Sequence, residues 1–490
     1  MSEQVSNTSK ALKGMSSQTL VTIVLGVVEV VSFSIMSRLL TEEDFGYYAA
    51  ITAITAVFAS FSETGIGSAI VQQKELSKRF IDNAFTLSLL FGSFISLLLL
   101  VLAGPLSRSV ADESMTTPLM LMSGTLLLNC LTSVNNSIMH RKLQFLRIGS
   151  VRLVALVITT IIAIWLAYLG YGYYAILTKA ILTSIITYIL SLVLCKTRFG
   201  LALDVPTFKK IFSFSGWLMA SVLFRNLAHQ MDRLMMPRLL SVSSLGSYNR
   251  PKDFIEQISS KICGIFDSAL FPVLSGIQDN KESLRSAYKR SMYLMNILSL
   301  LLSLAFMFNG ELLIRIFFGE QWLYLKPVMF VLSTVVIFNF MGRLADCFLR
   351  SLAMTKQQFF FRIFETTLSV LGVLIGHKLN IIGVAIGVAV GNMIAKLVKV
   401  FYIGTQLELK PLQVSEMILS SWRFSIFLLP IYITAFLLLP STWSGDIVMA
   451  IVFLLSTAIV FFFMPRFVGG IYKDEVYNKV FALVKRKLHR

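Results

Sequence analysis

Charge is what this chain has least of. Charged residues make up 14% of its 490 positions, whereas 56% are hydrophobic; an ordinary soluble domain carries about 25% charge and about 45–50% apolar residues. Length alone would admit about three soluble domains, but so little charge cannot cover their surfaces, and so much apolar residue excludes intrinsic disorder. Cysteine is equally scarce. Cys130, Cys195, Cys263 and Cys347 each lie within or at the end of an apolar segment and no two share a CxxC spacing, so neither a disulfide framework nor a zinc site is indicated and packing is the expected role. The chain also lacks GxxxxGK[ST], HExxH, GxSxG and any glycine-rich dinucleotide fingerprint. Its linkers are too short to fold into a catalytic domain. These absences argue against an ATP-driven pump on this chain and against the commoner enzymes, and nothing calls for a cofactor.

What is present is a succession of apolar runs. A hydrocarbon core about 30 Å thick takes about 20 apolar residues per helical crossing. Segments of that kind fall near 15–37, 45–70, 82–103, 118–139, 148–168 and 172–195, and again near 212–237, 245–275, 290–309, 325–349, 360–377, 381–404, 424–440 and 446–464. Fourteen helices are therefore expected in an all-α integral membrane protein. A membrane barrel would instead show alternation over about ten residues, which runs such as Leu97–Leu102 and Ile451–Phe463 lack.

The formal charge of +18 is distributed unevenly. Alternate linkers hold nineteen basic residues on one side, among them Lys74, Lys78, Arg79, Arg141, Lys142 and Arg147. The other side holds six: Arg38, Arg108, Arg238, Arg315, Lys326 and Lys378. The richer set shares its side with Lys10, Lys13 and the seven basic residues of the 465–490 tail. The positive-inside rule then places both termini in the cytoplasm. Lys10 and Lys13 precede an apolar stretch that is too long for a signal peptide and lacks a small-residue cleavage site, so it reads as an uncleaved first helix. Spread over many short loops, the basic residues do not form a nucleic-acid surface; Lys485, Arg486 and Lys487 suit either anionic lipid or a solvated tail.

The chain repeats itself. Residues 38–48, RLLTEEDFGYY, align with residues 238–248, RLLSVSSLGSY, at an offset of 200, and Ser68-Ala69-Ile70 aligns with Ser268-Ala269-Leu270. Six crossings per repeat make both halves enter the membrane in the same sense, the arrangement in which transporters bind substrate between halves. The expected organisation is a six-helix lobe over 1–200, a second over 201–410, an accessory pair over 411–465 that either supports a lipid groove or packs, and a basic tail over 466–490.

Charges inside crossings are expensive and typically face a wet cavity or a partner. Arg225, His229 and Asp232 are spaced i, i+4, i+7, on one helical face, with Asn226 and Arg233 in a neighbouring stripe. Asn339, Arg343, Asp346 and Arg350 likewise share a face. Asp253, Glu256, Ser260 and Asp267 lie on a common side of the next crossing, near Lys252 and Lys261. The first half contributes Glu29, Glu63 and Lys179. Paired charges binding helices together would explain any one of these. Two whole faces of alternating Arg and Asp favour a water-filled cavity, and the planar fork of Arg suits a phosphate or pyrophosphate. The substrate-binding candidates are thus Arg225, Arg233, Arg343, Arg350, Asn226, His229, Asn339 and Lys179; the carboxylates Glu29, Glu63, Asp232 and Asp346 are candidates for ion coupling or for the cavity wall. Ser62-Glu63-Thr64-Gly65-Ile66-Gly67 interrupts its run, which suits either a broken helix lining a site or close helix packing. Pro237 and Pro272 suit either kinks or helix ends.

Several stretches resemble a known family. Phe45-Gly46-Tyr47-Tyr48 and Glu63-Thr64-Gly65-Ile66-Gly67-Ser68-Ala69-Ile70-Val71-Gln72-Gln73-Lys74 are similar to first-half signatures of bacterial Wzx-type oligosaccharide flippases. Phe271-Pro272-Val273-Leu274-Ser275-Gly276-Ile277-Gln278-Asp279 and Phe318-Gly319-Glu320-Gln321-Trp322 resemble second-half signatures. The likeness covers nearly the whole chain and is greatest to the colanic-acid exporter branch of the polysaccharide transporters in the multidrug/oligosaccharidyl-lipid/polysaccharide (MOP) superfamily. It implies two six-helix lobes in a V with two further helices, in the bacterial inner membrane. It implies movement of an undecaprenyl-pyrophosphate-linked oligosaccharide from the cytoplasmic to the periplasmic leaflet by alternating access, coupled to H+ or Na+, for capsule, exopolysaccharide or O-antigen synthesis. Membrane lipid and a polysaccharide polymerase complex are the other implied partners. One departure is that Glu63-Thr64-Gly65-Ile66 stands where the branch often has Asp-Phe-Gly-Ile. The competing readings are a multidrug exporter of the same superfamily, whose cavity should be rich in carboxylates, and a glycan polymerase or ligase, which should carry a sizeable outer loop.

Overall fold

The computed structural model describes residues 21, 24–62, 66–67, 70, 77–142, 144–197, 199–204, 222–224, 226–227, 229–352 and 354–463. Among them no strand occurs, and each of the expected apolar segments contains helix. The principal helices are Glu42–Ser62, Lys78–Val110, Thr116–Arg141, Phe145–Tyr168, Tyr173–Cys195, Val242–Gly276, Lys281–Phe308, Lys326–Ser351, Thr355–Gly376, Asn380–Gln406, Pro411–Leu438 and Trp443–Phe463, with residues 24–39 and 229–239 also helical. Among the described residues, seven helical stretches, from Lys78–Val110 to Lys356–Gln406, are long and apolar enough to cross a membrane; the last bends at His377–Leu379 and so holds two helices. The 309–325 linker folds into the short helix Gly310–Phe317 and a 3-10 turn, Glu320–Leu325.

Helix starts follow local chemistry. Asn280 accepts a hydrogen bond from the Ser283 amide at 2.9 Å and Ser77 accepts one from the Phe80 amide at 3.2 Å, each satisfying a donor that the first turn would otherwise leave bare. The tight link between Phe145–Tyr168 and Tyr173–Cys195 turns through Gly170 and Gly172, whose φ values are 84° and 56°.

The chain divides into two compact units. The first comprises residues 1–253, 316–328 and 359–391; the second comprises 254–315, 329–358 and 392–490.

Within the first unit the internal repeat is visible as a contact. A Cβ on Gly46 would lie 1.9 Å from the Val242 carbonyl oxygen, and a Cβ on Gly246 would lie 1.9 Å from the Glu42 carbonyl oxygen. Residues 42 and 242, and residues 46 and 246, are the same repeat positions, so the two helix starts cross at a reciprocal, pseudo-twofold point. Only glycine allows backbones that close. Ser243 and Ser247 add hydroxyl hydrogen bonds to Glu42 Oε2, at 2.9 and 3.0 Å. The 309–325 linker closes over the same place. Trp322 Nε1 and Gln321 Nε2 both donate to the Ser37 carbonyl, at 2.8 and 2.9 Å, and the Arg38 guanidinium donates to the Ile316 carbonyl at 2.9 Å. The Phe-Gly-Glu-Gln-Trp stretch thus serves to anchor the linker, and Gly319, at φ 104°, makes its turn. A second glycine seam joins Thr355–Gly376 to Asn380–Gln406, where Gly372 meets Gly387 and Gly376 meets Gly383 backbone to backbone. Gly67 is also a packing glycine, since its Cβ would fall 2.6 Å from Ser137 Oγ; Glu63 to Gly65 lie outside the described residues.

The second unit is held by buried polar ties between helices. The Tyr288 hydroxyl donates to the Val400 carbonyl at 3.0 Å, and the Ser303 hydroxyl donates to the Ser333 carbonyl at 2.8 Å. Arg315 lies between Glu311, at 3.2 Å, and Asp446, at 2.8 Å, and donates to the Ser441 carbonyl at 3.0 Å. This ionic triad docks the Trp443–Phe463 helix onto the 309–325 linker. All four cysteines are buried and free.

Candidate functional site

The candidate residues fall in both units and form two sets of different character. In the first unit two of the candidates, Asp232 and Arg233, are in ion pairs. Asp232, 4% exposed, pairs with Lys252 and accepts from the Tyr248 hydroxyl at 3.1 Å. Arg233 pairs with Asp253, which also accepts from the Asn249 amide. Asn226 donates to Ser60 Oγ at 2.9 Å. Lys179 donates to Ser32 Oγ, on the 24–39 helix that also carries the half-buried Glu29. His229 is exposed. Arg225 and Glu63 lie outside the described residues.

Arg250, not among the residues expected from the sequence, is the most enclosed cation of this set. Its guanidinium lies over the Phe33 and Phe45 rings, 3.7 and 3.5 Å from their centroids, and donates to the Phe33 carbonyl at 3.0 Å and to the Ser37 hydroxyl. Desolvated cation–π contacts of this kind stabilise by about 2 kcal/mol. Beside Pro251 and at the edge of an apolar run, Arg250 reads in the sequence as a boundary residue; nothing local signals the two rings, which come from other helices.

In the second unit the pattern is different. From residue 331 to residue 351, every position of the Lys326–Ser351 helix is buried or half-buried except two, Arg343 and Arg350. An opening onto lipid would show apolar side chains. An opening that shows two arginines is polar. Asn339 lies half-buried one turn before Arg343, on the same face. Asp346, between the arginines, is itself buried, and its Oδ1 accepts from Lys399 Nζ at 3.0 Å. Arg350 lies 3.8 Å from Asp267, and its guanidinium sits over the Phe271 ring at 5.7 Å.

Lys399 and Lys396 are the other residues that the sequence reading missed. Both are buried, on the Asn380–Gln406 helix, and Lys399 is 0% exposed. The Lys396 stem packs on Gly342, where a Cβ would meet its Cδ at 2.4 Å. Their signal is present in the sequence, because two lysines at i, i+3 interrupt a largely apolar crossing. Among the described residues, no cluster of His, Cys, Asp and Glu could hold a metal.

Known proteins were compared with this chain. A family model described as polysaccharide biosynthesis protein matches residues 35–327. The lipopolysaccharide biosynthesis protein WzxC of Escherichia coli (strain K12) is 22% identical over 398 residues, 79% of this chain and 79% of its own. The succinoglycan biosynthesis transport protein ExoT of Rhizobium meliloti (strain 1021) is 22% identical over 305 residues, 62% of this chain and 61% of its own. Among solved structures, the lipid II flippase MurJ in an inward closed conformation superposes with a TM-score of 0.69 at 15% identity, covering 91% of this chain and 98% of that one. An inward-facing multidrug resistance transporter of the MATE family, in the MOP superfamily, gives 0.62 at 17% identity, covering 81% and 98%. At such identities the structural likeness establishes the fold that these two transporters share with this chain.

Proposed function

The chain belongs to the polysaccharide biosynthesis protein family, and from that premise we propose that this multi-pass membrane protein is a flippase for an undecaprenyl-pyrophosphate-linked oligosaccharide. The cargo moves from the cytoplasmic to the periplasmic leaflet for surface-polysaccharide synthesis. The carrying observation is the pair Arg343 and Arg350, the only exposed residues over residues 331–351 of their helix. Guanidinium forks in a polar opening suit a pyrophosphate, while a cavity for cationic drugs would present carboxylates. Arg225, Asn339, His229 and Lys179 would contact phosphate or sugar, and the lipid tail would stay in the bilayer.

The positive-inside rule supports cytoplasmic termini, which puts the Gly46/Gly246 crossing and the 316–325 linker at the periplasmic end. Two lobes over 1–200 and 201–410 would rock about this end, and the crossing would part to release cargo outward. Glu29 and Glu63 are the carboxylates proposed to couple H+ or Na+, and a polysaccharide polymerase complex would receive the product.

The test is transport in proteoliposomes, with a fluorescent undecaprenyl-pyrophosphate oligosaccharide, and surface-polysaccharide display in cells that lack their own flippase. The Arg343→Ala/Arg350→Ala protein should be made at normal level and lose transport by about a hundredfold, as expected when two charge-assisted contacts are removed. Wild-type transport by that variant, or drug export without a glycan phenotype, would overturn the reading.

A further inference from the structure

Two arginines exposed at membrane depth serve an anionic ligand best if the carboxylate of their own helix does not fold onto them. Asp346 threatens that. It lies three residues after Arg343 and four before Arg350, the two spacings at which helical side chains meet. An unrestrained carboxylate there would fold onto either guanidinium and cancel its charge. The structure shows it turned inward instead, 6% exposed, with Oδ1 held at 3.0 Å by Lys399 from the neighbouring Asn380–Gln406 helix. Lys399 is 0% exposed, so it is out of reach of any ligand at the opening. Burying both members of an ion pair is costly, and apolar residues of similar volume would usually serve stability as well or better. Fold stability therefore gives little reason for the pair to exist.

We propose, resting on the anionic-cargo reading above, that Lys399 is a positioning residue: it holds Asp346 away from Arg343 and Arg350, so that the carboxylate of their own helix does not compete with the pyrophosphate for them. Removing Lys399 frees the carboxylate that lies between the two arginines along the helix. The role differs from ion coupling, in which Asp346 itself would have to gain and lose a cation during transport.

The experiment is calorimetric titration of the purified full-length protein in lipid nanodiscs with farnesyl pyrophosphate, farnesol serving as the uncharged control. Lys399→Met should weaken binding about tenfold, Lys399→Arg should restore it, and Asp346→Asn/Lys399→Met should bind within about twofold of the wild type. Asp346→Asn alone should bind as tightly or more tightly. If Lys399→Met fails to fold, the last two variants still decide: loss of binding in either one makes Asp346 a ligand or a coupling group and overturns the proposal. Full binding by a folded Lys399→Met protein overturns it too. Absence of pyrophosphate-dependent binding in the wild type would instead remove the anionic-cargo reading and this inference with it.

Discussion

The two charged faces look alike in sequence and are used in opposite ways. Residues 225–233 and residues 339–350 both alternate basic and acidic side chains at helical spacing. In the first, Arg233 and Asp232 each have a close ionic partner from the next helix, Asp253 and Lys252. In the second, Asp346 is held by Lys399 and Arg350 has only the longer contact to Asp267, while both arginines remain exposed. What separates a structural ionic network from a binding surface is thus the neighbouring helix, which turns the described charges inward in one case and leaves two cations exposed in the other.

The contrast can be broken deliberately. The largest effect is expected from comparing Arg343→Ala with Arg233→Ala. The first should lower transport in proteoliposomes about tenfold while leaving expression and thermal stability near wild type. The second should lower the yield of folded protein because it strands Asp253, and transport per folded molecule should fall much less. Equal loss of specific transport in both would erase the distinction.

Next comes Lys252→Met, which leaves Asp232 buried without its cation and should cost about 3 kcal/mol. Thermal unfolding in detergent would show it as a drop of several degrees, largely recovered in Asp232→Asn/Lys252→Met. No recovery would mean that Tyr248 and the surrounding packing, rather than the ion pair, hold this region.

A smaller effect belongs to the crossing glycines. Gly46→Ala and Gly246→Ala each force a methyl into a carbonyl oxygen 1.9 Å away, and overpacking of this kind costs about 1–3 kcal/mol. Because the positions are equivalent in the repeat, the two melting-temperature shifts should match. A large inequality would deny the pseudo-twofold character of the contact.

The smallest effect lies outside the membrane. Hydrogen bonding to Lys281, at 2.7 Å, together with the nearby Arg285, holds the Glu408 carboxyl below its ordinary range. A depressed carboxylate contributes stability that is present above its unfolded value of about 4.3 and is lost as pH falls through the lower folded value. Glu408→Gln should therefore lower the melting temperature only marginally at pH 7, as is usual for exposed pairs, and leave it unchanged once the pH has fallen below the depressed folded value. A drop of many degrees at pH 7 would show that this linker contributes more than a surface ion pair.

Much of the architecture was legible in one dimension. Helical class, the positions of the apolar segments and the repeat at an offset of 200 all follow from hydrophobicity, spacing and local identity, which are properties of contiguous chain. Even Gly46 and Gly246 stand out, as the shared glycine of the repeat. The candidate site was only half legible. Arg343 and Arg350 were found by helical spacing, but spacing cannot tell an exposed arginine from a neutralised one. Arg250 went unnoticed because the rings of Phe33 and Phe45 that enclose it are more than two hundred residues away. Lys399 went unnoticed because its meaning depends on Asp346, fifty-three residues earlier.

By itself, then, the sequence determined that this protein is a helical membrane protein built from two like halves with an unusual number of charges at membrane depth. Only the tertiary structure decided which of those charges are matched and which are open. Hydrophobicity acts on each segment separately and can be read along the chain, whereas the fate of a charge in low dielectric is set by whichever helix packs within a few ångströms of it.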